Sequence, residues 1–423
     1  MDISNVVYYL IIFIFIVTFS RNLIYILSGP FYSLSKFKML RGLRKYTKED
    51  IEKILKISVV VPAHNEEVGV LNSVKSLLSS SYNNLEVILV DDGSIDKTSE
   101  AVNQFINNGL KEYLTKNKSF KFYRKENGGK GSALNFGIKK SSGDIIITMD
   151  ADTIFDRNAL SITARYFMNK ELDAAVGNVK VGNANSFLGI IQQIEYILGF
   201  YFKRTHAIFN SEYIISGAFG IFRRNIFETY GYFDEKNKTE DIEFSTRLQT
   251  KGCKIAYIED AQAYTETPSS FLSLMKQRLR WKKGRLDTFY KHRELFFSRN
   301  KLHNKFLSFY LLPTTLFYEL ELLVEPFLII FVSVYLLLSH DFLMLVVWFI
   351  FMILMYSIAL IFGSNNKRLN SLVILPFYFW LSYLIIFIEI YAMYASLKLI
   401  ITKKEISWQN WRRKGLLPEY IQN

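Results

Sequence analysis

Ile145-Ile146-Ile147-Thr148-Met149 runs straight into Asp150-Ala151-Asp152, and this stretch decides the fold. A short run of such residues closed by carboxylates reads as a buried strand ending at the rim of a sheet. The same transition recurs upstream. Ser58-Val59-Val60-Val61 gives way to Pro62-Ala63-His64-Asn65-Glu66-Glu67, and Leu89-Val90 gives way to Asp91-Asp92-Gly93-Ser94. Residues 57–61, 85–90, 121–124, 144–149 and 173–179 read as strands, and 66–80, 97–108 and 130–141 as helices. This alternation predicts an α/β, Rossmann-like domain with a mostly parallel sheet covered on both faces. In such sheets ligands bind beyond the carboxyl ends of the strands, which is where these polar turns fall.

Asp150 and Asp152 leave the strand two residues apart, so alternation would send both carboxylates in similar directions. Two acidic oxygen donors, water and a diphosphate complete an octahedral Mg²⁺ or Mn²⁺ shell, which suits a nucleotide-sugar donor. A solvated pair of loop residues is the plain alternative. Asp91-Asp92-Gly93 is equally a turn or helix-initiating signal. Asn127-Gly128-Gly129-Lys130-Gly131-Ser132 is a glycine-rich helix entry, where backbone N–H groups and Lys130 make an anion site. The spacing is not that of a Walker loop, and a ligand-free turn is the competing reading.

Further on, Thr239-Glu240-Asp241 precedes a helical stretch over 242–250. Thr239 is a natural helix cap and the two acids suit a first helical turn. The functional reading makes Asp241 a general base for a hydroxyl nucleophile. Ser216-Gly217-Ala218-Phe219-Gly220 is small enough for an acceptor to approach the backbone. Residues 268–290 have helical spacing, with Lys276, Arg278, Lys282, Lys283 and Arg285 basic, as in a helix lying on a membrane surface. Within it Gln277, Arg280 and Trp281 share one face. Arg280 suits a diphosphate and Trp281 a sugar ring.

The chain has 423 residues, with 52 Lys plus Arg against 39 Asp plus Glu, a net charge of +13 and 50% hydrophobic residues. This composition excludes a disordered chain. Cys253 is the one cysteine, so no intrachain disulfide forms, and the five histidines never fall at zinc-ligand spacing. Apolar residues gather near both ends. Residues 6–28 can span a bilayer, and the basic stretch after them places the following domain in the cytoplasm. Residues 342–362 and 372–388 are uncharged spanning candidates. The run 306–338 is interrupted by Glu319, Glu321, Glu325, Pro313 and Pro326, and reads either as an interfacial helix with a short span or as a channel-lining helix. Three spans after a cytoplasmic domain would put the basic tail outside, against the positive-inside rule, so one run is re-entrant or the rule is broken. In that tail Trp408 and Trp411, with Arg412, Arg413 and Lys414, read as an interfacial anchor.

Asp91-Asp92-Gly93, Asp150-Ala151-Asp152, Thr239-Glu240-Asp241 and Gln277-Arg278-Leu279-Arg280-Trp281, in this order and followed by spans, resemble the membrane-embedded processive glycosyltransferases of family 2. Residues 186–196, Lys203-Arg204 and Ile215-Ser216-Gly217 are most similar to the bacterial poly-β-1,6-N-acetylglucosamine synthases. The resemblance covers most of residues 57–284; the spans match in arrangement only. It implies a glycosyltransferase A-type fold flanked by transmembrane helices. It also implies a cytoplasmic catalytic domain in a multi-pass protein of the cell membrane, and an inverting, metal-dependent transfer from a UDP-sugar, UDP-N-acetylglucosamine being favoured. By motif, Asp91 or Asp92 would contact uridine, with Pro62, Ala63, Asn65, Glu66, Lys130 and Ala151 around the donor. Asp152 would hold Mg²⁺ or Mn²⁺ with Asp150 beside it, and Asp241 would be the base with Glu240 adjacent. Gln277, Arg280 and Trp281 would hold the diphosphate and the acceptor sugar, with Ser216, Gly217, Ala218 and Thr239 on the acceptor side.

The partners so implied are a UDP-sugar, a growing polysaccharide, the lipid bilayer and a small accessory membrane subunit; nucleic acid is not among them. Six parts are expected: an anchor over 1–30, a basic linker over 31–56 and the catalytic domain over 57–268. An interface helix region over 269–305, membrane helices over 306–400 and a basic tail over 401–423 complete the division. One span rather than two or more before the domain departs from several relatives. Competing functions are single-sugar transfer to a lipid or polyprenyl acceptor, another polymer such as hyaluronan, chitin or a cellulose-like chain, and a non-catalytic nucleotide-binding regulator.

Overall fold

Every residue of the first strand, Ile57–Ala63, is buried, and this strand lies at the centre of the parallel half of the sheet. The computed structural model describes residues 3–340, 342–363, 369–404 and 413–416. Along the chain, helices α1 (Ile3–Ser28), α2 (Tyr32–Arg41) and α3 (Lys48–Ile54) precede β1 (Ile57–Ala63). A capping box starts α3: Asp50 N–H donates to Thr47 Oγ1 at 3.1 Å, and Thr47 N–H to Asp50 Oδ2 at 3.0 Å. The domain continues through α4 (Val70–Leu78), β2 (Leu85–Asp92), α5 (Thr98–Asn108), β3 (Lys118–Lys125), α6 (Lys130–Lys140) and β4 (Ile145–Thr148). Then come β5 (Thr153–Phe155), α7 (Ala159–Phe167), β6 (Ala174–Val181), α8 (Phe187–Ile208), β7 (Gly220–Arg223), α9 (Arg224–Tyr230), α10 (Glu240–Thr250) and β8 (Ile255–Thr265).

The eight strands lie in the order β3-β2-β1-β4-β7-β6-β8-β5. Pairs β3–β2, β2–β1, β1–β4 and β6–β8 are parallel; β4–β7, β7–β6 and β8–β5 are antiparallel. Alternation along each strand divides the interior in two. Val59, Val61, Ile145 and Ile147 pack into one core, and Val60 and Ile146 into the other, against α6 and α10 through Leu134, Ile138, Phe244 and Leu248. Each such fully buried Val or Ile contributes roughly 1.5–3 kcal/mol. Residues carrying that energy are therefore locked in register, which fixes where the strand ends emerge.

After the domain come α11 (Phe271–Lys291), α12 (Leu312–Glu321), α13 (Glu325–Ser339), α14 (Leu343–Gly363) and α15 (Leu369–Ile401). Among the described residues, three stretches are long and apolar enough to cross a membrane: Ile12–Arg41, Leu345–Phe362 and Trp380–Ile401. The interrupted run is a broken pair, Leu307–Glu321 and Glu325–Leu338, bent by 68°. Leu274 of α11 packs with Leu188, Ile191 and Ile194 of α8 and with Met355, Tyr356, Ile385 and Ile388 of α14 and α15. The apolar helices α14 and α15 and the α/β domain thus share one apolar cluster, with α11 and α8 between them.

Candidate active site

The carboxyl ends of β1, β2 and β4 open into a cavity of about 860 Å³. Its walls include Pro62, Ala63, Asn65, Glu66, Asp92, Lys130, Asp150, Ala151, Asp152, Ser216, Gly217, Ala218, Thr239, Glu240, Asp241, Gln277, Arg280 and Trp281. Asp91 is not in the wall. β2 runs through both aspartates, so its alternation turns them to opposite sides. Asp91 is fully buried, accepting from Ser94 N–H at 2.8 Å and from the Ser99 hydroxyl. Asp92 accepts from Lys125 Nζ at 2.6 Å and from Gly129 N–H at 2.7 Å. It therefore folds the glycine-rich turn over the cavity, and it uses amides that the sequence offered to an anion. Gly129 sits at φ +87°, a conformation that favours glycine, immediately before α6.

At the start of α6, Lys130 Nζ lies 2.6 Å from Asp150 Oδ1 and 3.3 Å from Glu240 Oε1. Burial alone would lower the Lys130 pKa, but Asp150, Glu240 and Asp241 outweigh it and hold the ammonium protonated. Enclosure likewise pushes Asp150 up, and Lys130 brings it net below its ordinary value. Glu240, by contrast, is raised, burial winning over Lys130. Asp241 stands in the first turn of α10, where Gly217 N–H donates to Oδ2 at 2.9 Å and Ile242 N–H to Oδ1 at 2.9 Å. A side chain at Gly217 would bring a Cβ to 2.6 Å from Lys130 Nζ, 3.3 Å from Asp241 Oδ2 and 3.7 Å from Asp150 Oδ1. Three charged groups thus converge on one residue that has no side chain. Thr239 is the α10 cap by position, but its hydroxyl makes no capping bond and contacts Asn237 Oδ1 at 3.2 Å.

Asp150 and Asp152 share the cavity for a reason other than strand alternation. β4 stops at Thr148, and Thr153 N–H donates to Asp150 O at 3.1 Å, closing a turn around the pair. Asp152 is buried, accepts from Thr265 Oγ1 at 3.2 Å and faces a second cation, Arg413 Nη1 at 2.5 Å. Burial raises Asp152 above its ordinary value despite Arg413. Glu66 is pushed up to about 8, burial again prevailing over Arg413, whose Nη2 donates to Oε1 at 3.2 Å. Its other oxygen, Oε2, is buried with no hydrogen-bond partner among the described residues. No group of three His, Cys, Asp or Glu side chains among those residues has a metal-binding arrangement. The donor set is then two carboxylates with an unsatisfied third nearby. This set fits a hard divalent cation that takes its remaining oxygens from a diphosphate and water.

Arg413 is the residue that sequence reasoning misplaced. Its basic neighbourhood reads as a membrane-surface anchor, yet the side chain enters the cavity; Arg412, Trp408 and Trp411 lie outside the described residues. The basic side of α11 also departs from the surface-helix reading. Arg278 Nη2 reaches Glu195 Oε2 at 2.8 Å, Lys282 Nζ reaches Glu319 at 2.6 Å and Glu389 at 2.7 Å, and Arg285 Nη1 reaches Glu319 at 2.5 Å. These cations turn inward because α8, α12 and α15 bring carboxylates to them, and lattices of this kind hold Gln277, Arg280 and Trp281 at the cavity edge. Arg278 also stacks over Trp281, with Cζ 4.9 Å from the ring centre. A further lobe follows α8 past Tyr196, Phe200, Lys203 and His206. There Lys203 and His206 hold the buried Glu212 down to about 2 against the burial that would raise it.

The sequence model of the family described as Glycosyl transferase family 2 matches residues 58–231, and that of Glycosyl transferase family group 2 matches residues 145–397. The poly-beta-1,6-N-acetyl-D-glucosamine synthase of Staphylococcus epidermidis is 34% identical over 267 residues, 62% of each chain. The protein of that name from Staphylococcus aureus (strain COL) is 32% identical over 265 residues, again 62% of each. The chain thus covers less than two thirds of the length of these relatives. In fold it resembles a mannosyltransferase from Pyrobaculum calidifontis solved with GDP-Man and Mn²⁺, with a TM-score of 0.53, 18% identity, and 91% of this chain and 99% of that one covered.

Proposed function

This chain belongs to glycosyl transferase family group 2, and from that membership we propose that it is an inverting, metal-dependent β-glycosyltransferase. In this reading it polymerises UDP-N-acetylglucosamine into a poly-N-acetylglucosamine exopolysaccharide and exports it across the membrane. The observation that carries the proposal is the convergence of Lys130, Asp150 and Asp241 on Gly217, inside a cavity also walled by Asp152, Arg280 and Trp281. The names of the staphylococcal relatives support the sugar and the polymer.

Asp241 takes the proton from the acceptor hydroxyl as its oxygen attacks the anomeric carbon, and the bond from that carbon to UDP breaks. Two backbone N–H donors, of Gly217 and Ile242, hold the Asp241 carboxylate in place. A divalent cation held by Asp152, with Asp150 beside it, would neutralise the departing diphosphate. Arg280 adds charge on the diphosphate side, Gln277 lines the same edge, and Trp281 offers a flat face to the acceptor sugar. Lys130 keeps Asp150 ionised and lies beside Glu240, so the cavity floor stays polar but balanced.

The proposal keeps the six-part division of the chain, with the catalytic domain on the cytoplasmic side. Its membrane arrangement rests on parity. Arg413 meets Asp152, so the tail and the catalytic domain lie on one side and the crossings between them are even in number. α14 and α15 supply two, and the bent α12–α13 pair then enters and leaves from the same side.

The test is incubation of the purified protein in nanodiscs with Mn²⁺ and labelled UDP-N-acetylglucosamine, with products resolved by size. High-molecular-weight product sensitive to a poly-N-acetylglucosamine hydrolase supports the proposal. A single labelled sugar on lipid overturns the polymerase, and UDP release equal to that of Asp241→Asn overturns the enzyme.

A further inference from the structure

Residues 413–416, which follow α15, lie on the α/β domain, and Arg413 among them enters the metal side of the cavity. Arg413 spans Asp152, at 2.5 Å, and Glu66, at 3.2 Å. The next two backbone N–H groups, of Lys414 and Gly415, donate to the two oxygens of Glu266 at 2.7 and 3.0 Å. Leu416 is buried against Gly182, and its carbonyl accepts from Asn72 Nδ2 at 3.3 Å. Each residue of 413–416 is thus seated on the catalytic domain by an ion pair, a hydrogen bond or apolar contact. Gly415 has φ +81°, and a Cβ there would lie 3.0 Å from Val68, so the turn favours glycine.

The Arg413 guanidinium stands against the carboxylate proposed to bind the divalent cation. A cation at Asp152 and a guanidinium 2.5 Å away are two positive charges competing for one carboxylate. We propose that the 413–416 segment is an internal competitor of the metal, with Arg413 standing in for the cation at Asp152 until metal and nucleotide displace it. The inference rests on the metal-dependent reading given above. It gives Arg413 the place of the metal and Glu266 the role of anchor, so Asp152 is paired in the resting cavity. The metal then enters by exchanging with an arginine rather than by filling an unbalanced acidic site.

Two measurements test this on the full chain in nanodiscs, both independent of turnover. The first is Mn²⁺ binding without nucleotide, followed by electron paramagnetic resonance, for the wild type, Arg413→Gln and Leu416→Asp. Removing a positive charge at contact distance is expected to tighten Mn²⁺ binding about tenfold or more. Leu416→Asp keeps Arg413 but unseats the segment, and is expected to move in the same direction. The second is hydrogen exchange at the Lys414 and Gly415 amides, which should be protected in the wild type and lose protection when Mn²⁺ and UDP are added together.

Equal or weaker Mn²⁺ binding in both variants overturns the competitor. Protection unchanged while Mn²⁺ is bound overturns displacement. Wild-type Mn²⁺ binding in the presence of UDP without any gain in the variants leaves the metal-dependent reading standing and removes this inference alone. Absence of Mn²⁺ binding in every form, with and without UDP, removes both.

Discussion

Lys130 and Asp150 form an ion pair on the cavity floor, with Nζ 2.6 Å from Oδ1, although 20 residues separate them and they sit on different elements. The pair ties the start of α6 to the turn after β4. Lys130→Ala leaves Asp150 and Glu240 facing each other without a cation. UDP release should fall about 10²–10³-fold, the cost of removing one preorganised charged group from a site of this kind. Lys130→Arg should not restore it, since a planar guanidinium does not reproduce the compact ammonium that lies between Asp150 and Glu240.

Gly217→Ala places a Cβ 2.6 Å from Lys130 Nζ, so the lysine must swing away from Asp150. A displacement on the order of 1 Å at a reacting centre costs about 10²-fold in rate. Turnover should drop by that order while the unfolding temperature stays near the wild-type value. An Ala variant with full activity would mean that the convergence on Gly217 is incidental.

Asp241→Asn and Asp152→Ala should fail differently. The first should bind UDP-sugar normally in calorimetry yet lose about 10²–10⁴-fold in turnover, the contribution of a positioned base. The second should lose metal-dependent donor binding itself. Identical binding isotherms for both variants would undo the division of labour between the two carboxylates.

Glu319 is buried and meets both Lys282 and Arg285. Glu319→Ala leaves two cations of α11 with one carboxylate fewer in a buried lattice, which costs about 3–5 kcal/mol. Thermal unfolding in detergent should drop accordingly, and Glu319→Gln should recover part of the loss. The variant tests whether α12 fixes α11, because a pore-lining glutamate could be removed without such a penalty.

Glu86 is one of the carboxylates, with Glu212 and Glu243, that make the domain sensitive to acid. Burial would raise its carboxyl, but bonds from Lys121, Ser58 and Ser142 hold it down to about 2 from an ordinary 4.5. Its folded value is the lower one, so its stabilisation is fully present above about pH 4.5 and is lost as pH falls toward 2. The difference corresponds to roughly 3 kcal/mol. Glu86→Gln should therefore flatten the acid end of the stability profile over that window while reducing stability at neutral pH.

The strands nearest the site were legible because β1, β2 and β4 are apolar-rich runs, interrupted internally only by Ser58 and Glu86, that end in polar turns. β7 was not: its four residues follow a glycine-rich loop and carry no apolar run long enough to signal a strand. β8 hides behind Glu259-Asp260, and its pairing with β6 shifts register between Gly177 and Asn178, so its alternation is interrupted where a pattern would be sought. Asp91 and Asp92 could not be told apart by motif, because only the direction of the strand separates a wall residue from a buried turn residue. Arg413 had no local signal at all. It lies 261 residues after Asp152 in the chain, and a cluster of basic residues after a membrane helix has the same composition whether it meets lipid or carboxylates.

Because Arg413 follows α15, it joins the cavity only after the other described wall residues have been synthesised. A ribosome that has added Glu266, just past the last strand, has already added Asp152 and Glu66, but the guanidinium that pairs with those two is still 147 residues away. Through that interval Asp152 and Glu66 lack the cation that they meet in the structure. If Arg413 competes with the metal as proposed, chains halted before α15 should bind divalent cations more tightly than the full chain, which would make synthesis of the segment after α15 a maturation step for the cavity.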